Sequence, residues 1–137
     1  MSILLVNFGG PRSLDEISPF LTALLTDRDV IDSKLPNFLH HLLFSRIAKK
    51  RAIQVKEDYA KIGGRSPIFE DTEKLAELLA TSTGQPIFTF HRYLPSTHAA
   101  SVTSIEASKG PIKVFPLFPQ FSYATTGSIA RWFSHHL

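Results

Sequence analysis

The stretch Ser2-Ile3-Leu4-Leu5-Val6-Asn7-Phe8-Gly9-Gly10-Pro11 decides the fold class of this chain of 137 residues. Its first part is a continuous apolar run, residues 3–6, which Gly9-Gly10-Pro11 brings to an end. An apolar run without polar alternation is typical of a strand that is buried on both faces, and such strands occur in parallel sheets covered by helices. The stretch therefore predicts an α/β fold with a parallel sheet flanked by helices.

Helical and strand patterns alternate along the rest of the chain. Apolar runs predict strands at residues 86–90 and 112–115, and apolar periodicity predicts helices at residues 13–25, 36–48, 49–62, 67–81 and 96–108 and a last helix from Ser128. Ser13 and Glu16 match a capping box for the first helix. Pro19 lies inside this helical pattern, so it would either kink the helix or move its start to a later residue. The order β, several helices, β, α, β, α predicts parallel strands with right-handed crossovers.

Ligands of open parallel sheets bind beyond the carboxyl ends of the strands. Three segments would share that edge here, namely residues 8–13, 92–96 and 117–127. The first contains neither a phosphate loop nor a dinucleotide fingerprint, because no Lys-Ser/Thr pair and no correctly spaced third glycine follow its glycines. We interpret it as a tight turn that exposes Phe8, and a purely structural turn explains the same residues.

Composition excludes several classes of protein. A hydrophobic share of 43% and a charged share of 20% are typical of a globular domain, and a net charge of +3 is too mild to indicate nucleic acid. The absence of cysteine excludes disulfides and thiolate ligands within these residues, and the six histidines show no metal-binding spacing. The first apolar run is too short for a signal peptide. We expect a cytoplasmic location, with attachment to a membrane surface left open.

The segment 46–65 is the basic part of the chain. It carries seven Lys or Arg residues against two acidic ones, and the strongly apolar segment Leu35–Phe44 precedes it. An apolar surface beside a cationic rim suits an amphiphile with carboxylate arms, or an acidic membrane surface. A solvated helix face is the simpler interpretation of such a run.

Two further segments indicate a pocket. Gly63-Gly64-Arg65-Ser66 follows Tyr59, and Ser66 could donate a hydrogen bond to an anion or simply cap the next helix. The loop 117–127 alternates aromatic residues with hydroxyl and amide groups, as in pockets that are apolar with a few polar anchors. His91 precedes Arg92-Tyr93 at a strand end, and we interpret it as a neighbour of the pocket rather than a ligand.

Taken together and in order, several motifs resemble the ferrochelatase family, whose members insert ferrous iron into a porphyrin as the last step of heme formation. The motifs are Leu5-Val6-Asn7-Phe8-Gly9-Gly10-Pro11, Phe20-Leu21 to Asp27-Arg28-Asp29-Val30, Ile47-Ala48-Lys49-Lys50-Arg51, Tyr59-Ala60-Lys61-Ile62-Gly63-Gly64-Arg65-Ser66-Pro67-Ile68, Arg92-Tyr93, and Pro119-Gln120-Phe121-Ser122 with Thr125-Thr126-Gly127-Ser128. The resemblance covers almost the whole chain.

The resemblance implies a two-domain α/β protein with the porphyrin bent in a cleft between similar halves. Residues 1–137 would be the Rossmann-like N-terminal half, and they would lack the second domain, with its catalytic histidine and acidic group. By family position, the porphyrin-binding residues would be Arg51, Tyr59, Ser66, Phe8, Leu24, Val30, Arg92, Tyr93, Phe118, Ser122 and Thr125, with Arg51 as the partner of a propionate. The resemblance assigns no catalytic residue and no metal ligand within residues 1–137. We therefore expect little or no iron insertion by these 137 residues alone.

The resemblance also implies partners. Porphyrin and ferrous iron would be substrates, and Leu35–Phe44 resembles an active-site lip that can touch the inner face of a membrane. Nucleic acid is not expected as a partner, because of the mild net charge. Some family members bind an iron–sulfur cluster partly through a cysteine in the third-strand loop. Tyr123 stands at that place here, so no cluster and no other resident cofactor are expected.

Other interpretations stay open from the sequence. A half-length chelatase could pair with itself to rebuild the cleft, a non-catalytic module could bind tetrapyrroles, and a basic domain could bind an anionic membrane. The short last helix and the uncovered edges of a three-strand sheet favour a chain that is the front part of something longer. A disordered tail or a dimer partner would cover those edges as well.

Overall fold

A three-stranded parallel sheet organises the computed structural model, which describes residues 1–137. The strands are β1 (Ser2–Asn7), β2 (Ile87–His91) and β3 (Ile112–Pro116), in the order β2-β1-β3. The helices are α1 (Ile17–Leu25), α2 (Asn37–Lys61), α3 (Ile68–Thr83), α4 (Pro95–Ala107) and α5 (Ser128–His136). A 3₁₀ turn over Leu14–Glu16 precedes α1, and a π-helical turn over Tyr123–Gly127 precedes α5. The predicted α/β class and parallel sheet are confirmed.

Strand β1 lies at the centre of the sheet and is buried on both faces. Leu4 pairs with Phe88 of β2 and with Val114 of β3, which fixes the register of all three strands. Leu4, Leu5 and Val6 are at most 2% exposed. This confirms the prediction drawn from the unbroken apolar run.

The main core lies on the face of the sheet that carries Leu4 and Val6. These side chains cluster with Phe90 and with Ile129 of α5. Trp132, also of α5, packs with its ring centroid 4.8 Å from that of Phe90. Helix α5 is therefore stabilised by packing against the sheet, as a helix of nine residues requires.

Two local predictions were wrong. The predicted helices 36–48 and 49–62 are one helix, α2, of 25 residues, because no glycine or proline lies within it to interrupt the helix. The Ser13 side chain does not cap a helix, and the Glu16 carboxylate instead accepts hydrogen bonds from the Arg12 amide and guanidinium at 2.6–2.8 Å. The later helix start expected from Pro19 is confirmed, because α1 begins at Ile17 and Pro19 lies in its first turn, where its missing N–H removes no helical bond.

Strand β3 differs from β1 because neither of its faces is fully covered, although Ile112 packs against the main core. Val114 is 45% exposed and Phe115 is 55% exposed. Neighbouring residues of a strand point to opposite faces, so both faces of β3 meet solvent. The other edge, along β2, lies between α3 and α4, both of which pack against that strand.

Candidate functional site

The loops that follow the three strands meet at one edge of the sheet, as predicted. Phe8 follows β1, Tyr93 follows β2 and Phe118 follows β3. The Phe8 ring packs edge-on against both of the others, with centroids 4.9 Å from Tyr93 and 5.3 Å from Phe118. The Tyr93 amide also donates to the Phe8 carbonyl at 2.9 Å. Phe8 is therefore held between the ends of the two outer strands.

Residues of α1 and of the segment after it extend this aromatic contact into a wall. Leu24 and Val30 pack, with Phe8, against the buried cluster of Phe20, Tyr93 and Leu94. We call Phe8, Leu24, Val30, Tyr93 and Phe118 the pocket wall. Phe8, Leu24, Val30 and Phe118 are only partly buried, so they leave apolar surface at the carboxyl edge of the sheet.

Tyr93 is the buried member of the wall, because its side chain is fully buried beneath the exposed ones. Its hydroxyl donates to Asp27 Oδ2 at 2.9 Å and lies 3.3 Å from Ser128 Oγ. Burial raises the pKa of Tyr93 well above its ordinary value of 10, and the nearby Asp27 carboxylate raises it further. The phenol therefore stays protonated and keeps its hydrogen bond to Asp27.

Arg92 is paired within the protein. Its Nη2 lies 2.9 Å from Asp27 Oδ2, and its Nε lies 3.3 Å from the Ser128 carbonyl oxygen. The side chains of Arg92 and Asp27 are only 17% and 11% exposed, and the guanidinium lies 4.8 Å from the centroid of the Tyr93 ring. The positive charge of Arg92 is therefore neutralised by Asp27 at the back of the wall.

Asp27 was not singled out by sequence reasoning. It stands in the quoted Asp27-Arg28-Asp29 motif, but its two partners are Arg92 and Tyr93, 65 and 66 residues away. Its other oxygen, Oδ1, accepts from the Asp29 amide at 2.8 Å and shapes the loop that carries Val30. The only available signal was the charged run Asp27-Arg28-Asp29 that follows the apolar stripe of α1.

Ser122 and Thr125 hold the turn before α5. The Thr125 amide donates to Ser122 Oγ at 3.1 Å, and the Ser122 amide donates to Thr125 Oγ1 at 3.1 Å. This reciprocal pair is a capping box, here on a π-helical turn. The predicted loop 117–127 thus contains regular structure at its carboxyl end, although Ser122 remains exposed.

Ser66 and Tyr59 lie where α2 turns into α3. The Ser66 amide donates to the Pro11 carbonyl at 2.8 Å, and a Cβ on Gly10 would stand 2.6 Å from Ser66 Oγ. Gly10 is therefore required for the close approach of these two loops. The distance of 3.4 Å from the Ile68 amide to Ser66 Oγ makes the hydroxyl a weak cap for α3, and half-buried Tyr59 precedes the end of α2 by two residues.

Helix α2 carries the exposed cations and the exposed apolar segment. Arg51 is exposed and forms no salt bridge. In the segment Leu35–Phe44, Phe38 is 72% exposed and Leu42 is 49% exposed. No helix has both the length and the apolar character that crossing a membrane requires.

The structure thus brings together some of the predicted site residues and leaves others apart. The five residues of the pocket wall form one apolar group with Arg92 behind it, and Ser66 adjoins the same β1 loop through Gly10. Arg51 and Tyr59 lie on α2, and Ser122 and Thr125 lie in the turn before α5. Nowhere do three His, Cys, Asp or Glu side chains converge in a way that could hold a metal ion.

Comparison with known proteins gives one consistent result. A family model described as Ferrochelatase matches residues 1–137. Among curated relatives, the ferrochelatase of Chlamydia trachomatis serovar D is 51% identical over 137 residues, which is all of this chain and 44% of that protein. The ferrochelatase of Chlamydia muridarum is 54% identical over 130 residues, covering 95% of this chain and 41% of that protein. This chain thus spans less than half the length of these relatives.

Proposed function

The chain belongs to the ferrochelatase family, and on that premise we propose that it forms the porphyrin-binding part of an enzyme that inserts ferrous iron into protoporphyrin IX to make heme. One observation carries the proposal: the pocket wall is apolar and partly exposed at the carboxyl edge of a parallel sheet. Ligands of such folds bind at that edge. A flat, apolar macrocycle fits a wall of this chemistry.

The pocket wall would contact the apolar macrocycle, and the exposed cations of α2 would bind its acidic arms. Porphyrin carries propionate arms, and an arginine can bind a carboxylate through two parallel hydrogen bonds. Arg51 is free of protein partners, whereas Arg92 already pairs with Asp27. We therefore assign the propionate contact to Arg51, and we give Arg92 and the buried Tyr93 the role of fixing the exposed side chains of the wall.

Iron insertion requires the removal of protons from the pyrrole nitrogens, so a general base must lie within reach of the macrocycle. At the wall, Asp27 is occupied by Arg92 and Tyr93, and the raised pKa of Tyr93 keeps it protonated. We propose that this chain binds and orients the porphyrin, and that proton removal and iron delivery depend on residues outside it.

An absorbance titration of the 137-residue chain with protoporphyrin IX tests this function. We expect saturable binding that Arg51→Ala weakens about tenfold, the worth of one lost charge-assisted hydrogen bond. Lys56→Ala removes the same charge from another side of α2 and is the matched control. Binding that is absent, or equally sensitive to both substitutions, contradicts the assignment.

We also propose that the protein is cytoplasmic and touches a membrane surface through Leu35–Phe44. The support is a cluster of exposed apolar side chains, including Phe38, Leu39 and Leu42, followed directly by Arg46, Lys49 and Lys50. Flotation with anionic vesicles should recover the protein, and Phe38→Ser should reduce the recovered fraction severalfold. Recovery that neither this substitution nor added salt changes would count against a specific contact.

A half-length chelatase that pairs with itself is the second candidate. Exposed Val114 and Phe115 on β3 favour it, because an apolar edge strand is a ready surface for another chain. Sedimentation of the protein decides between the two candidates, since a monomer at all accessible concentrations excludes self-pairing.

A further inference from the structure

A cluster of polar side chains lies directly beneath the loop that presents Phe8, on the face of the sheet opposite the main core. Asn7 and His91 are register partners at the ends of β1 and β2, and Thr72 and Glu73 face them from α3. Asn7 and His91 are 2% and 1% exposed, respectively. None of these residues belongs to the pocket wall or to the proposed propionate contact.

The hydrogen bonds of Asn7 fix the orientation of its amide. Thr72 uses its hydroxyl hydrogen on the Ile68 carbonyl at 2.6 Å, so its oxygen accepts from Asn7 Nδ2 at 2.7 Å. Asn7 Oδ1 accepts from the Gly9 amide at 2.8 Å. His91 Nδ1 lies 2.9 Å from the same oxygen and must therefore carry a hydrogen.

The other ring nitrogen of His91 meets a carboxylate. His91 Nε2 lies 3.0 Å from Glu73 Oε1, which also accepts from the Thr89 hydroxyl at 2.6 Å. A ring with its only hydrogen on Nδ1 would turn the Nε2 lone pair toward that carboxylate oxygen. The contact therefore requires a second proton between Nε2 and Oε1.

The loop that carries Phe8 rests on this histidine. Gly9 has φ +77°, and a Cβ added to it would stand 2.9 Å from His91 Cβ. Farther along the loop, the Arg12 guanidinium lies 5.1 Å from the centroid of the Phe69 ring, and that ring lies 4.7 Å from the ring of His91. A displacement of His91 would therefore move the backbone on either side of Gly9, including Phe8.

We propose that His91 and Glu73 are positioning residues for the porphyrin pocket. The proton they share holds His91 against Asn7, and Asn7 holds the turn that presents Phe8 to the macrocycle. The inference rests on the proposed function, because its consequence is porphyrin affinity, but the shared proton can be observed without porphyrin.

The surroundings of His91 set the direction of its pH dependence. Burial lowers the pKa of His91 below its ordinary value of 6.5, Glu73 opposes this, and the charge of Arg12 adds to it. From α4, His98 donates a hydrogen bond to the His91 carbonyl at 3.0 Å. The shared proton therefore leaves as the pH rises through the lowered pKa, and the contact with Glu73 weakens in that direction.

Three variants of α3 test the proposal by titration with protoporphyrin IX. Glu73→Ala should bind the porphyrin about tenfold more weakly than the parent chain at mildly acidic pH, because the charged hydrogen bond is lost. Glu73→Gln should retain binding, because its amide N–H can donate to a neutral Nε2. Glu77→Ala removes the same charge one helical turn away and should bind like the parent chain.

The pH profile separates positioning from a general loss of stability. Between about pH 5 and pH 8, the affinity of the parent chain should fall as the pH rises, relative to that of Glu73→Gln, whose contact needs no second proton. If Glu73→Gln follows the parent profile, the shared proton has no effect on the pocket. Equal affinities of Glu73→Ala and the parent chain at every pH overturn the positioning role.

Nitrogen NMR of the imidazole, recorded without porphyrin, tests the proton itself. We expect Nδ1 to stay protonated across the range while Nε2 titrates, and Glu73→Gln to shift that titration to lower pH. A ring that is protonated on Nε2 alone overturns the inference. A parent chain that shows the expected nitrogen signals but binds no porphyrin refutes the proposed function instead.

Discussion

The pocket wall and helix α2 are both proposed to contact the porphyrin, but their side chains are held in opposite ways. In the wall, Phe8 is fixed by two aromatic contacts and Tyr93 by a buried hydrogen bond, and Arg92 behind the wall is fixed by Asp27. On α2, Arg51 has no protein partner and the apolar side chains before it are exposed. The wall is thus organised before a ligand arrives, whereas α2 keeps its charges available for one.

Removal of the Asp27 carboxylate should produce the largest loss of stability. Asp27→Ala leaves the guanidinium of Arg92 and the hydroxyl of Tyr93 without their shared partner in a nearly buried site. We expect a loss of about 3 kcal/mol in the free energy of unfolding, measured with denaturant.

Asp29 provides the matched control for that substitution. It pairs with Arg131 at 3.1 Å, but the Arg131 side chain is 65% exposed. Asp29→Ala should therefore cost less than about 1 kcal/mol. Similar losses for the two variants would show that the wall is not organised around Asp27.

Compared with removal of the Asp27 carboxylate, removal of the Phe8 ring should reduce stability less and porphyrin binding more. Phe8→Ala removes the contacts with Tyr93 and Phe118, but the ring is only partly buried. We expect a loss of about 2 kcal/mol in unfolding free energy and a loss of about tenfold or more in affinity for protoporphyrin IX. Phe8→Leu restores bulk without the aromatic contacts, so its stability and its porphyrin affinity should lie between those of the parent chain and Phe8→Ala. Full porphyrin binding by Phe8→Ala would remove the wall from the proposed site.

Half-buried His98, on α4, makes stability depend on pH. Burial lowers the pKa of His98, the hydrogen bond to the His91 carbonyl opposes this, and the charges of Arg92 and His136 add to the lowering. The unfolded chain then binds more protons than the folded one below about pH 6.5, so stability falls as the pH falls through that range. The midpoint of thermal unfolding should decrease on acidification, and His98→Gln should lessen the decrease. An unchanged pH slope in this variant would rule out His98 as a contributor.

The sequence predicted those features that depend on local pattern. The apolar run of β1, the parallel sheet and the shared edge of Phe8, Tyr93 and Phe118 follow from periodicity and element order. The resemblance supplied the site residues, but it did not indicate that Tyr93 is fully buried.

Features that depend on register could not be predicted. Asp27 with Arg92, and Glu73 with His91, are pairs 65 and 18 residues apart that only the packed sheet brings together. The capping box predicted at Ser13 was wrong for a different reason, because the pair that replaced it is only four residues apart. Glu16 had a stronger partner in Arg12, whose guanidinium Ser96 also holds in place at 3.1 Å.

Substitution of Arg51 should have the smallest effect on stability and so sharpen the contrast between the two regions. Arg51 is exposed on α2 without an ion pair, and alanine favours helix, so Arg51→Ala should change the unfolding free energy by less than about 0.5 kcal/mol. The same variant should bind protoporphyrin IX more weakly, as the proposed propionate contact requires. A loss of affinity without a loss of stability is expected for a side chain that contacts the ligand and has no partner within the protein. A large loss of stability would mean that Arg51 already has a structural partner, and α2 would then resemble the wall.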